Sequence, residues 1–482
     1  MRYAPLLIAA AMLGACSDSK PGGDLAVAVV GEGGLADDLA EEASRATLIR
    51  RGPAGELVPG LATSWRFLDD GNDLILRLAP QRWPAAGDRR GPELAARDVT
   101  LGWRRAGAEG RAALAAAGLD AASALRAPIA RVIELTPSPA TPQLLDWLAE
   151  PALAVRDRRG RLFPGLYTAR RDGEDRRGWL LDRRDDRSLP DARAAAIRIA
   201  PRSAADAIAA FARGDVQLVL GEGLAGLGAA RASGQGRALR VEAVQGVSGL
   251  AINAAKSPLS DARLRRALLL AADGEALANR VALAALTAQN LLWDGLPPPE
   301  GDRALPLAAR RAKAAALLRE AGHDAEHPLR LTLLLPAGPD HRAIAETLAA
   351  SLAPVGIQIV LQAARPGGYA EARLGRQQDL AWVDQTVRVP DVVAHLAQWR
   401  CGRARPCRAE ADRRLDEAER AGNNVPARQA AATAAERLLM QDPAFVPLLR
   451  PVRWALVAGD VDGYQANSLG RHPLGRISAG KP

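Results

Sequence analysis

Three glycines follow an apolar, strand-like segment in the pattern of a dinucleotide-binding turn. Gly221, Gly223 and Gly226 in the stretch GEGLAG satisfy G-x-G-x-x-G, and the preceding residues VQLVL are typical of a buried strand. In that motif backbone N–H groups hold a pyrophosphate, and an acidic residue about 20 positions later binds the ribose. Glu242 lies only 16 positions after Gly226, and the pattern is short in a chain with 45 glycines. We therefore interpret the glycines as a turn and expect no cofactor.

A cysteine near the start of the chain indicates a second kind of chemistry, the covalent attachment of a lipid. Positively charged Arg2 is followed by an apolar run that is too short to span a bilayer as a helix. The run ends in LGAC, which resembles the bacterial lipobox, where diacylglycerol is attached to the cysteine. We predict a lipoprotein signal peptide over residues 1–16, a polar tether over 17–24 and a lipid anchor on Cys16, which places the protein in the periplasm or at the cell surface. The alternative is an ordinary signal peptide with an incidental cysteine.

The two remaining cysteines would then lie in an oxidising compartment. Cys401 and Cys407 are six positions apart in WRCGRARPC, so a small-loop disulfide is expected, with two free thiols as the alternative. A zinc site would need further ligands at short spacing. The histidines are scattered and show no such spacing: His323, His327, His341, His395 and His472. We expect no metal site.

The composition argues against two further functional classes. The net charge of +9 suggests nucleic-acid binding, yet basic and acidic residues are interleaved, as in RRDGEDRRGW, and aromatic residues make up only 4% of the chain. The sequence has no G-x-S-x-G elbow, and its carboxylates lie mostly on amphipathic faces, where solvation is their ordinary role. We therefore expect neither a nucleic-acid-binding protein nor an enzyme.

The elements that would position functional residues alternate between strands and helices. Leu329, Leu331 and Leu333 recur with the period of two that is typical of a strand. Apolar residues at helical intervals follow, and a second alternating segment begins at Ile357. The pattern predicts a β-α-β unit with parallel strands, and then a further strand that ends at Asp384. A chain of 482 residues also exceeds one hydrophobic core, so two or more lobes are expected.

Six stretches occur in a fixed order along nearly the whole chain: LVPGLATSWRFLDDGNDLILRL, GPELAARDVTLGW, GLAINAAKSPLSDARLRRALLLAADGEAL, AAALLREAGH, LAPVGIQIVLQ and ERLLMQDPAFVPLLRP with VDGY after it. The third is the most specific, through the spacing of Asn253, Pro258, Asp261, Arg263, Arg265, Ala267, Asp273 and Glu275. Together they resemble the extracellular solute-binding proteins of ABC importers, the family that includes oligopeptide-, dipeptide- and nickel-binding components. The chain is identified as a divergent member.

The resemblance implies an α/β, two-lobe, periplasmic-binding-protein-like fold of the large class, with a hinge between the lobes. Lobe I is expected over residues 24–247, with an extra subdomain over about 50–160. The chain is expected to return to lobe I over residues 448–482. Lobe II is expected over residues 251–445. The implied function is that of a lipid-anchored, monomeric binding protein that captures peptides or peptide-like solutes and delivers them to the permease and ATPase subunits of an ABC transporter.

The same resemblance implies a set of ligand-binding residues. Peptide binders of the family carry an aspartate after a tryptophan-containing strand, where it pairs with the amino terminus of the ligand. Asp384 and Trp382 occupy that place, so we expect Asp384 to accept a cationic group, and Trp382 and Trp399 to form apolar walls. Arg388 is a weaker candidate for binding a ligand carboxylate. The alternative is that the aspartate caps a turn and the tryptophans belong to the core.

Several positions depart from the family pattern. Lobe I has Ala46, Thr47 and Leu48 where the family has Glu-Gly-Leu near the cleft, and Gln217 replaces a usual acidic residue. The proline expected after the aspartate, Pro390, comes later than usual. The ligand can therefore differ from a free peptide. The alternative function is a non-transport envelope lipoprotein, a sensor or a peptide chaperone, with a degenerate cleft on the same fold.

Overall fold

The structure is a computed structural model that describes residues 23–32, 34–84, 91–184, 192–283, 286–293, 299–403 and 406–480. Cys16, the predicted signal peptide and nearly all of the predicted tether lie outside these residues. Among the described helices, none combines the length and the apolar character that crossing a membrane requires.

The described residues form strands and helices that alternate along the chain. The strands are β1 (Leu25–Val30), β2 (Ile49–Arg51), β3 (Leu57–Pro59), β4 (Ala62–Leu68), β5 (Asp73–Leu78), β6 (Leu125–Ile129), β7 (Val132–Leu135), β8 (Tyr167–Arg171), β9 (Trp179–Arg183), β10 (Ala196–Pro201), β11 (Leu218–Glu222), β12 (Leu239–Ala243), β13 (Gly246–Ile252), β14 (Leu329–Leu335), β15 (Ile357–Ala363), β16 (Leu380–Thr386), β17 (Phe445–Leu449), β18 (Val452–Val457), β19 (Val461–Asp462) and β20 (Ser478–Ala479). The helices are α1 (Leu35–Ser44), α2 (Ala96–Trp103), α3 (Ala108–Ala116), α4 (Leu144–Leu148), α5 (Ala204–Arg213), α6 (Leu227–Ala232), α7 (Ala262–Ala271), α8 (Gly274–Arg280), α9 (Leu307–Glu320), α10 (Pro339–Leu352), α11 (Tyr369–Leu374), α12 (Val392–Leu396), α13 (Ala409–Arg420) and α14 (Val425–Leu439).

The first large sheet has the strand order β12-β18-β11-β1-β10-β9-β8. Its central strand, β1, pairs in parallel with both β10 and β11. Successive side chains of a strand point to opposite faces. Accordingly, Val27 and Val29 pack in one core with α1, while Ala28 and Val30 pack in another with α5. This burial on both faces explains why the strand reads as the continuous apolar run LAVAVV. We call this sheet with its helices lobe I.

A smaller antiparallel sheet, β4-β5-β7-β6, has a hydrophobic core of its own with α2 and α3. The DDG stretch forms the hairpin connection between β4 and β5. Asp69 and Asp70 adopt positive φ angles of 47° and 53° there, a conformation that aspartate tolerates better than most residues. Trp103 lies at the centre of this core, 1% exposed.

The second large sheet has the strand order β15-β14-β16-β13-β17. β14 pairs in parallel with β15, with Leu329 opposite Ile357, and α10 connects the two strands. The predicted β-α-β unit is therefore confirmed. The further strand, predicted to end at Asp384, is β16 and ends at Thr386. We call this sheet with its helices lobe II.

The chain crosses between the two large sheets at two adjacent places. β12 of lobe I is followed directly by β13 of lobe II, and β17 of lobe II is followed directly by β18 of lobe I. The Val244 backbone N–H donates to the Pro451 carbonyl at 3.0 Å, so the two crossing segments lie side by side. A pair of short neighbouring connections is the arrangement that permits one lobe to rotate against the other.

Candidate ligand-binding site between the lobes

The Asp384 carboxylate lies near the carboxyl end of β16 and faces lobe I. Its Oδ1 accepts a hydrogen bond from Trp382 Nε1 at 3.2 Å. Its Oδ2 lies against Gly223, where an added Cβ would be only 2.3 Å away. Gly223 has φ of +57°, so the absence of a side chain permits both the turn and the close approach of the carboxylate. The predicted acceptor of a cationic group thus lies at the surface where the lobes meet.

Trp382 helps to position this carboxylate by donating a hydrogen bond to it. Its side chain is 1% exposed and packs in the largest hydrophobic core, while its indole N–H points to Asp384. The Tyr369 hydroxyl donates to the Trp382 carbonyl, which further fixes the end of β16. The structure therefore places Trp382 with Asp384, as a buried positioning residue instead of an exposed apolar wall.

Trp399 is not brought to Asp384. Its buried ring makes edge contacts with His395 and Phe445, at centroid distances of 5.3 Å and 6.1 Å. It lines a different cavity, of about 660 Å³, on lobe II. Cys407 lines the same cavity and forms a disulfide with Cys401, their Cα atoms 4.9 Å apart.

Arg388 crosses from lobe II to carboxylates of lobe I. Its Nε donates to Glu150 Oε2 at 2.9 Å, and its guanidinium also donates to Asp38 Oδ1 at 3.0 Å. These two carboxylates raise the pKa of Arg388 despite its partial burial. In this arrangement the guanidinium is engaged by the protein, and a ligand carboxylate would have to displace Asp38 or Glu150 to reach it.

Glu150 is the centre of a larger ionic network. Its side chain is 5% exposed, and its carboxylate also accepts from Arg471, which lies 3.4 Å from Glu42. Arg51 lies at 4.0 Å on the same carboxylate. Burial by itself would raise the pKa of Glu150, but the guanidinium groups of Arg471 and Arg388 outweigh it and lower the pKa. The network joins the C-terminal segment, lobe I and lobe II through one buried acid.

His341, in the first turn of α10, was not found by sequence reasoning and lies near enough to Asp384 to be influenced by its charge. The imidazole is 3% exposed, and its Nδ1 has no hydrogen-bond partner among the described residues. Burial lowers its pKa from the ordinary 6.5, against the opposite influence of Asp384, Asp340 and Glu32. Ser248 lies opposite Asp384 in the β13–β16 register, and its buried Oγ is also unpartnered within the described part of the chain. Unpaired buried polar atoms are costly, so they indicate a place where a ligand or water would bind.

A cavity of about 70 Å³ lies between the lobes. Its wall includes Glu222 and Trp454 of lobe I and Thr386 and Arg388 of lobe II. Pockets for small-molecule ligands typically begin at about 300 Å³. This small space, and the hydrogen bonds from Arg388 to Glu150 and Asp38 across the lobes, indicate a closed arrangement of the lobes.

A family comparison decides what kind of protein this geometry belongs to. The profile described as "Bacterial extracellular solute-binding proteins, family 5 Middle" matches residues 56–405. The chain belongs to this family. Among the described residues, no three His, Cys, Asp or Glu side chains are grouped in a way that could hold a metal ion.

Solved structures show the same two-lobe fold. Haemophilus influenzae OppA, in complex with the peptide RPPGFSPFR, superposes with a TM-score of 0.80 at 16% identity, over 95% of this chain and 99% of that one. Escherichia coli MppA, a murein tripeptide binding protein, gives 0.80 at 19% identity over the same shares. The unliganded open form of MppA gives only 0.65. These likenesses, all below 25% identity, show that the fold is shared.

Curated relatives match parts of the chain. The probable deoxycholate-binding periplasmic protein YgiS of Escherichia coli is 33% identical over 131 residues, which is 25% of this chain and 24% of that protein. The periplasmic murein peptide-binding protein MppA is 26% identical over 231 residues, 45% of this chain and 42% of that protein. The chain therefore spans less than half the length of these relatives, whose names give deoxycholate and murein peptide as ligands.

Asp340 and His341 directly follow β14 and its loop, at the carboxyl end of a parallel strand. Ligands of open α/β sheets bind at that edge, so this position was the one available signal for both residues. No comparable signal exists for Ser248 or Glu150, because their roles arise only from residues distant in sequence.

Proposed function

We propose that this solute-binding protein captures a peptide or peptide-like solute carrying a cationic group and delivers it to an ABC permease. The observation that carries the proposal is the Asp384 carboxylate at the meeting surface of the lobes. Among the described residues, no lysine or arginine forms an ion pair with it, and Trp382 donates the one hydrogen bond that it accepts. A ligand ammonium group would supply the missing positive charge.

Closure of the lobes makes this interaction stronger than it would be in water. A charge pair at a given distance is attracted several times more strongly at a protein surface or interior than in bulk water. The unpartnered His341 Nδ1 and Ser248 Oγ offer further polar contacts beside the carboxylate. Ligand binding and lobe closure would therefore favour each other.

The proposal includes the cellular setting that the sequence indicates. Lipid attached to Cys16 would hold the exported protein at a membrane surface, with the tether of residues 17–24 between the anchor and lobe I. We place the lobe boundaries at the two crossing segments, residues 244–245 and 450–451, a few residues from the boundaries predicted by resemblance. The protein would act as a monomer and meet the permease and its ATPase in the closed, loaded form.

The test is to identify and measure the ligand. The chain from residue 17 onward is purified, and small molecules released on denaturation are identified by mass spectrometry. Their affinities are then measured by calorimetry for the wild type, Asp384→Asn and a control, Glu346→Gln, whose side chain is 58% exposed on lobe II. A hydrogen bond to a charged group contributes about 1.5–3 kcal/mol, so Asp384→Asn should weaken binding roughly ten- to a hundredfold.

The control should bind like the wild type. An Asp384→Asn protein with wild-type affinity for a ligand that carries an amino group would contradict the assignment of the carboxylate. A protein that releases no small molecule and binds none of the peptides offered would contradict the proposed function itself.

A further inference from the structure

The glycine turn that imitates a dinucleotide motif faces lobe II in the structure. It continues from β11 through Gly223 and Gly226 to Gly228 in the first turn of α6. The backbone N–H of Gly226 donates to Asp340 Oδ2 at 2.9 Å, and the N–H of Gly228 donates to Asp340 Oδ1 at 3.1 Å. Both oxygens of one lobe II carboxylate are thus bound by two backbone amides of lobe I.

The absence of side chains at these positions is what permits the contact. A Cβ at Gly228 would lie 2.5 Å from Asp340 Oδ1, and a Cβ at Gly223 would lie 2.3 Å from Asp384 Oδ2. Gly236, which follows α6, has nothing within 4 Å of an added Cβ and no positive φ. The glycines that touch lobe II therefore differ from a nearby glycine that does not.

We propose that the glycine turn is a receiving site for the Asp340 carboxylate and that this contact positions the lobes in the closed state. Gly226 and Gly228 supply the amides, and Asp340 supplies the charge. The inference rests on the proposed function in one respect, because closure of the lobes can retain a ligand only if the protein binds one. It assigns the G-x-G-x-x-G stretch a role within the chain, in place of cofactor binding.

The location of Asp340 explains how one contact can organise the site. Asp340 and His341 are consecutive residues at the start of α10, and Asp384 lies close to both the imidazole and Gly223. When the carboxylate of Asp340 is bound by the turn, the imidazole and the Asp384 carboxylate are held against the same part of lobe I. Asp340 is thus a positioning residue, because it acts through the closed arrangement and not through the ligand.

The experiment measures the distance between the lobes without ligand. The chain from residue 17 carries spin labels at two exposed positions, Ala212→Cys on lobe I and Arg319→Cys on lobe II, and pulsed electron resonance gives the distance distribution. The variants are Gly228→Ala, which blocks the approach of the carboxylate, and Asp340→Ala, which removes it. Gly236→Ala is the matched control for replacing a glycine by alanine. Thermal unfolding confirms that each variant is folded.

We expect the same closed-to-open ratio in the wild type and in Gly236→Ala, and a ratio at least tenfold lower in Gly228→Ala and Asp340→Ala. The double variant should be no more open than either single variant, because both remove the same contact. A Gly228→Ala protein as closed as the wild type, or a wild type as open as Gly228→Ala, would overturn the inference.

Ligand affinity is measured separately, so the two proposals can fail independently. If the distances respond as expected but no ligand binds, the proposed function fails and the receiving site stands. If ligands bind but the lobe distances in Gly228→Ala and Asp340→Ala match those of the wild type, the inference fails and the proposed function stands.

Discussion

Replacing Glu150 by glutamine should destabilise the protein strongly, because this buried acid compensates several arginines. Its side chain is 5% exposed and its partner Arg471 is 13% exposed, whereas Arg388 is 46% exposed. Removing one partner of a buried ion pair costs about 3–5 kcal/mol, while a solvent-exposed pair contributes about 0–1 kcal/mol. Since Arg388 is nearly half exposed and glutamine keeps one acceptor oxygen, we expect Glu150→Gln to lower the free energy of unfolding by about 3 kcal/mol, the lower end of that range.

The assay is urea unfolding followed by circular dichroism, with Glu93→Gln as the matched control. Glu93 pairs with Arg82 at 2.8 Å, but the two side chains are 72% and 49% exposed. The control should therefore lose less than about 1 kcal/mol. Equal midpoints for the two variants, with unchanged slopes, would refute the reasoning that burial makes the Glu150 network different.

The pH dependence provides a second check on the same residue. The arginines lower the folded-state pKa of Glu150 below its ordinary value of 4.5. A carboxyl group of this kind contributes stability above its unfolded-state pKa and loses it as the pH falls through the folded-state pKa. The difference in stability between wild type and Glu150→Gln should therefore be constant from pH 8 to about 5.5 and shrink below about pH 4.5. A difference that grows on acidification would contradict the lowered pKa.

Two further predictions concern the disulfide and the hydrogen bond from Trp382 to the Asp384 carboxylate. Replacing Cys401 and Cys407 together by serine should lower the free energy of unfolding by about 2 kcal/mol, because the unfolded chain loses a loop constraint. In urea titrations, a reductant should lower the stability of the wild type to that of the variant and leave the variant unchanged. Trp382→Phe removes the indole N–H that binds Asp384 while keeping an aromatic ring, so calorimetry should show ligand affinity reduced about three- to tenfold. Trp399→Phe should change the affinity less than twofold, and equal losses in the two tryptophan variants would contradict the distinction between them.

Local features of the fold were predictable from the sequence because their partners are close in the chain. Asp261 caps α7 by accepting from the Arg263 N–H, and Asp273 caps α8 by accepting from the Ala276 N–H. The β-α-β unit was predictable because apolar residues recur at every second position in its strands and once per turn in its helix. These periods indicate which face of each element is buried. These signals need only a window of a few residues to be read.

The site was less predictable because its contacts join distant segments. Arg388 binds Asp38 and Glu150, which precede it by 350 and 238 positions. No spacing within the sequence indicates that these acids of lobe I accept hydrogen bonds from the guanidinium. The resemblance led us to expect Trp399 as an apolar wall near Asp384, yet a short helical segment separates the two, and the ring packs against Phe445.

The position of β18 in lobe I determines when that lobe can finish folding. This strand comes from the last part of the chain but lies inside the first large sheet, between β11 and β12, with Trp454 packed on Gly221. During synthesis, β11 and β12 must wait with open edges until more than two hundred later residues have been made. Lobe I is thus begun first and completed last. In a nascent chain stopped before residue 452, β11 would have one unpaired edge and β12 would lack its partner strand, and both would be accessible to chaperones and proteases.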